Sequence, residues 1–166
     1  LMDLENRFIV RAPLDAAWTG LLDIPLVVEC LPGATLTATL DTTNYTGTMR
    51  VRLGPMAMEF AGKLRLETVD HTAHHAVVKA TWNETRNRGS ATSVSILEAL
   101  PQGTDTEVKV KTTVTLAGQI AQYGRGVGVI QAVAGELVKQ FAANLQAKLG
   151  ERQLRPAPDR KSARLN

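Results

Sequence analysis

The feature that most constrains this chain is a change in its hydrophobic period. Between residues 35 and 116 the chain falls into short strand-like runs broken only by short turns, with clear alternation of apolar side chains in two of them, 45–53 and 107–116; between 130 and 149 apolar side chains recur every third or fourth. The runs fall at 35–41, 45–53, 57–70, 74–82, 91–100 and 107–116. Their joints, at 41–44, 54–55, 70–72, 83–89 and 101–103, are rich in Gly, Pro, Asn and Asp. Strands joined this closely pair antiparallel, because a parallel neighbour needs a crossover of roughly a dozen residues or more. The chain is therefore read as a meander followed by one long helix.

The ends complete the pattern. Leu4, Phe8 and Val10 share one parity against Glu5 and Arg7, which predicts a strand over 4–10. Pro13 suits a helix start and Asp15 complements its positive end. Ala17, Trp18, Leu21 and Leu22 form the buried stripe of a short helix, and a second short helix over 25–30 stops at Pro32-Gly33. In the meander, Tyr45, Gly47, Met49, Val51 and Leu53 oppose Thr46, Thr48, Arg50 and Arg52. Likewise Val108, Val110, Thr112, Val114 and Leu116 oppose Lys109, Lys111, Thr113 and Thr115. One face is wet and the other needs a partner. The last helix supplies it, through Ile130, Ala134, Leu137, Val138, Phe141, Leu145 and Leu149. Its approach, 118–128, carries four glycines, each weakening helix by about 1 kcal/mol relative to Ala. That segment is expected to be mobile or close-packed.

The 166 residues suit one domain, 2–150, with Leu1 standing ahead of Met2 and left out of the fold argument. Apolar residues make up 44% and aromatics only 4%, so aliphatic side chains must supply most of the core. Residues 151–166 hold five basic side chains and two acidic ones, a net +3 that equals the charge of the whole chain. The basic balance thus belongs to a tail, expected to be disordered, and a nucleic-acid surface is not expected. Cys30 is the one cysteine, which excludes an internal disulfide and a multi-cysteine zinc site and suits a reducing, cytoplasmic setting. Neither a secretory leader nor an apolar run near the ~20 residues of a membrane span is visible.

Strand, two short helices, six strands and a long helix is the order of the α+β helix-grip fold. In that fold a seven-stranded curved antiparallel sheet, two short helices and the long C-terminal helix enclose an apolar cavity. Leu31-Pro32-Gly33 resembles the Pro-Gly elbow of its START-like, Bet v 1-like (SRPBCC) members. Gly47-x-x-x-Val51-x-Leu53-Gly54-Pro55, then Phe60-x-Gly62 and Asp70, is similar to the central signature of the CoxG family of carbon monoxide dehydrogenase subunits. Gly118-x-x-Ala121-Gln122-x-Gly124 and Phe141-x-x-Asn144-Leu145 resemble that family's helix region. The resemblance spans residues 4–149. It implies an accessory role beside a molybdenum-containing CO dehydrogenase-type hydroxylase. The protein would attach that enzyme to the cytoplasmic membrane by peripheral contact, through an apolar, lipid- or quinone-like ligand. A hydrophobic C-terminal anchor is not seen, and the basic tail would add only about 1 kcal/mol per charge on anionic lipid.

The residues expected to line the cavity are Tyr45, Met49, Val51, Met56, Met58, Phe60, Trp82, Val110, Thr112, Val114, Tyr123, Ile130, Ala134, Leu137 and Phe141. Methionine adapts to varied apolar shapes, and Gly47 and Gly62 leave volume or permit curvature. Apolar alternation by itself is equally met by a filled core; the resemblance is what favours a cavity. His71, His74 and His75 invite a metal reading, but an exposed turn steadied by Asp70 explains them better. Cys30 lacks a nearby base and reads as a buried structural thiol. Gly124-Arg125-Gly126-Val127-Gly128 follows no parallel strand and lacks a Lys-Ser/Thr pair, so it is not a phosphate loop. The inward parities carry almost no titratable groups, and Glu59 faces outward, so no catalytic, metal or cofactor site is expected. Two other readings stay open: a polyketide cyclase/aromatase-like enzyme using Tyr45, Thr112 or Trp82, and an interaction module with a solid interior.

Overall fold

The computed structural model describes residues 1–123 and 127–154, with side chains at 1–122 and 128–152. The elements follow the order read from the sequence: β1 (Met2–Val10), α1 (Leu14–Leu22), α2 (Ile24–Cys30), β2 (Ala34–Thr39), β3 (Asn44–Leu53), β4 (Met56–Asp70), β5 (His75–Glu84), β6 (Ser90–Gln102), β7 (Asp105–Ala117), α3 (Ile120–Tyr123) and α4 (Val127–Leu154). All seven strands form one curved antiparallel sheet in the order β1-β7-β6-β5-β4-β3-β2. Every β-strand neighbour after β1 is a sequence neighbour, so the turns alone dictate the meander, and β1 closes on β7.

Every strand limit lies within two residues of the one expected from the sequence. The short α3 has no counterpart in the sequence reading. α4 starts ahead of its first apolar position and runs to Leu154, past the boundary expected at 150. Of the glycine-rich approach, residues 124–126 lie outside the described residues, as does the tail from 155 onward. The described part is close-packed: Ile120 is buried, and its N–H donates to the Arg88 carbonyl at 2.8 Å.

The main core sits toward one end of the sheet. Val10, Ala76, Ala99 and Val108 form its floor; Trp18, Leu21 and Leu26 come from the short helices, and Phe141, Leu145 and Leu149 from α4. Phe141 meets Phe8 edge-to-face at 5.9 Å, a geometry aromatic quadrupoles favour. Polar clamps reinforce this half of α4. Asn144 Nδ2 donates to the Cys30 carbonyl at 2.8 Å, the Gln146 side chain brackets the backbone of Arg11, and Arg152 bonds Asp23 at 2.9 Å. The half of α4 before Leu137 has no such fastening among the described residues, and Ile130, Val133, Ala134 and Leu137 remain half-buried. This is the geometry that opens a site.

Candidate functional site: a cleft between helix and sheet

Beneath the free half of α4 lies an open cleft of about 810 Å³. Val51 and Met58, which pair in register on β3 and β4, contribute its apolar floor, and Val133 and Leu137 of α4 overhang it. Pro32 and Gly33 form one wall. Gly33 is required there: φ is +84°, and a Cβ would stand 2.4 Å from the Arg50 carbonyl oxygen. The rim is charged, with Arg50, Arg52, Glu59, Glu84, Arg86, Arg88 and Glu136. Arg50 Nε meets Glu59 Oε2 at 3.0 Å.

Glu84 corrects the expectation of an almost uncharged inner face. It follows Ala80 and Trp82 on the inward parity and is 2% exposed. Its carboxylate accepts from Arg88 Nε at 2.9 Å and Nη2 at 3.1 Å, and from the backbone N–H of Arg86 and Arg88 at 3.0 and 3.1 Å. The Arg88 guanidinium is the largest influence; with the two N–H groups it outweighs burial and holds the carboxyl down at about 2. Arg88 Nη2 also donates to the Ala57 carbonyl at 3.2 Å, tying the β5–β6 turn to β4. The alternation read from the sequence stops at Trp82, with a loop over 83–89, and so leaves Glu84 on neither face. Carrying the parity two residues further would have found it.

The expected cavity residues divide into three groups. Val51, Met58 and Leu137 line the cleft together. The other described ones do not line it: Met49 and Phe60 pair one register step further from the β3–β4 turn, Met56 closes that turn opposite Leu53, and all three are half-buried, as are Val114, Ile130 and Ala134. Trp82 is half-buried against Gly62, where a Cβ would stand 2.8 Å from Trp82 Cε3. Tyr45, Val110, Thr112 and Phe141 are held elsewhere. Tyr45 packs with Ile24 and Leu66 and donates its hydroxyl to the Thr42 carbonyl at 2.9 Å. Val110 packs against the main core, Phe141 lies within it, and Thr112 shares a 2.9 Å hydrogen bond with Ser95. The Tyr123 side chain lies outside the described residues. Sequence reasoning did not nominate Val133, Glu136, Gln140 or the arginine rim.

The histidines have a role the sequence did not reveal. Trp18 Nε1 donates to His71 Nδ1 at 3.1 Å, and the Trp18 ring meets His74 edge-on at 5.4 Å, so the β4–β5 turn clasps α1. His71 is exposed but His74 and His75 are half-buried, which revises the expectation of a wholly exposed turn. Among the described residues no His, Cys, Asp and Glu group is arranged to hold a metal ion. Asp70 accepts from the N–H of Thr72 and Ala73 at 3.0 Å each, and these bonds hold its carboxyl below the usual range. Cys30 is buried, which pushes its thiol up.

A seven-stranded sheet gripped by a C-terminal helix, with a cleft between them, defines a protein of the helix-grip fold. Solved structures agree on that fold. A conserved protein from Geobacillus kaustophilus superposes with a TM-score of 0.78 at 12% identity, covering 90% of this chain and 96% of that one. An aromatase/cyclase from a Streptomyces species gives 0.63 at 11% identity over 95% and 98%. Norcoclaurine synthase from Thalictrum flavum gives 0.61 at 18% over 90% and 87%. More particularly, the chain belongs to the CoxG family of carbon monoxide dehydrogenase subunits, whose model matches residues 7–150. Among curated proteins none matches.

Proposed function

We propose that this protein binds an apolar, lipid- or quinone-like small molecule in the cleft under α4 without catalysing a reaction on it. As an accessory subunit it recruits a molybdenum-containing CO dehydrogenase-type hydroxylase to the cytoplasmic membrane. The observation that carries the reading is the cleft itself: about 810 Å³ between Val51 and Met58 below and Val133 and Leu137 above. Small-molecule sites commonly occupy roughly 300–1,000 Å³. Membership of the CoxG family supports the accessory role. Contact with the membrane is peripheral in this reading, in keeping with the absence, among the described residues, of a helix long and apolar enough to cross one.

The cyclase-like alternative draws on enzymes that share the fold, but the side chains favour binding. The Glu84 carboxylate is occupied by Arg88 and two N–H groups, and Glu59 is paired with Arg50. A general acid or base needs a proton site free to act on the substrate. The hydroxyls of Tyr45 and Thr112 are likewise engaged, away from the residues lining the cleft.

The test is a thermal melt of the full chain with short-chain quinones and with bacterial lipid extract. A dose-dependent rise in Tm that Leu137→Arg abolishes supports the proposal. No shift with any of them, and no apolar compound released on denaturing the purified protein, overturns it.

A further inference from the structure

The turns of the sheet are electrically polarised. At the core end, the three hairpin turns are flanked by Asp41, Asp70 and Asp105 and contain no Lys or Arg. Hydrogen bonds to Asp41 from Thr43 and Asn44 and to Asp70 from Ala73 and Thr72 hold both carboxyls below their usual range, so they stay charged. At the cleft end, Arg52 stands at the end of β3 beside one hairpin turn and Arg86 and Arg88 lie in the other; of the carboxylates on the cleft rim, Glu84 is bonded to Arg88, Glu59 is paired with Arg50 and Glu136 accepts from Gln140. Arg52 and Arg86 have no ion-pair or hydrogen-bond partner for their side chains among the described residues. Apolar groups share this end: exposed Pro55 between half-buried Leu53 and Met56, and Val129, 48% exposed and one helical turn ahead of Val133.

We propose that this end, with the cleft mouth, docks directly on an anionic lipid bilayer. Two unpaired guanidiniums beside an apolar tip match an acidic headgroup layer above hydrocarbon, and the acidic turns at the opposite end orient the molecule mouth-down. The inference deepens the proposed function and rests on it: a ligand leaving the cleft enters the membrane without crossing water. It also differs from docking by the basic tail, because α4 ends beside Asp23, at the core end.

The test uses the ligand-free full chain and vesicles of phosphatidylcholine with or without phosphatidylglycerol. Co-sedimentation should require phosphatidylglycerol, and Arg52→Gln/Arg86→Gln should weaken it roughly 20- to 30-fold, since each cation near such a surface contributes about fivefold. An environment-sensitive fluorophore on Pro55→Cys should shift to the blue on binding, and the same label on Thr104→Cys, at the core end, should not. Wild-type binding by the double variant, or a shift at 104 in place of 55, overturns the inference in favour of the tail. No association with either vesicle overturns it. A shift at 55 that grows with protein concentration without vesicles overturns it by assigning the surface to a second copy. Because no cleft ligand is present, either outcome leaves the thermal-shift test of ligand binding standing separately.

Discussion

A carboxylate on the inner face of a sheet must be neutralised where it stands, and Glu84 is neutralised by Arg88 four residues on. Its folded pKa, about 2, lies below the ordinary 4.5. Its contribution to stability is therefore complete above about pH 4.5 and is lost as pH falls toward 2. Urea midpoints of wild type and Glu84→Gln should differ most near neutrality and converge by pH 2. Asp41 and Asp70 shift in the same direction, so the variant keeps part of the acid sensitivity. Gly62 makes a separate point. A Cβ there would stand 2.0 Å from the Thr81 carbonyl oxygen and 2.8 Å from the Trp82 ring. Gly62→Ala should cost about 1–3 kcal/mol in urea unfolding, the usual range for forced overpacking, with a change in Trp82 emission. In the sequence, Gly62 is visible only as a gap in an apolar parity. That Trp82 occupies this gap follows from the β4–β5 register, which no single strand encodes.

At the scale of elements, α4 is one helix with two tasks. Leu145 is wholly buried against the short helices, whereas Leu137 is half-buried over the cleft. Leu145→Ala should cost about 2–5 kcal/mol by equilibrium unfolding, as for other core truncations. Leu137→Ala should cost about 1 kcal/mol or less and act chiefly on ligand affinity. The opposite ranking would mean that the free half of α4 carries the fold. The apolar stripe was legible from Ile130 to Leu149, because helical period is local. The division of labour was not: Ile130 and Leu145 look alike in sequence and differ only in what lies beneath them. Asn144 and Gln146 lie off that apolar stripe, yet both bond backbone far away in the chain.

For the molecule as a whole, packing is concentrated at one end and open space at the other. A ligand that binds only the folded state at a free concentration of one hundred times Kd adds about 2.7 kcal/mol. For a domain of this size that corresponds to a rise in Tm of roughly 5–10 °C. The rise should persist in Glu84→Gln if that pair serves the turn alone, and shrink if the turn shapes the cleft; melting curves of both proteins with the same quinone separate the two.

What this sequence determined by itself was the order of elements, the antiparallel pairing of neighbours and the parity that faces α4. Each follows from periodicity and turn chemistry over a few residues. The likeness of Gly47–Gly62 to a CoxG signature likewise needed only the order of residues. Tertiary structure alone decided which inward residues became core and which became cleft. Val51 and Val108 meet the same alternation rule, but the short helices and the clamped half of α4 cover Val108 and leave the space over Val51 open. Long-range packing sets that difference, and it has no local signature in the chain.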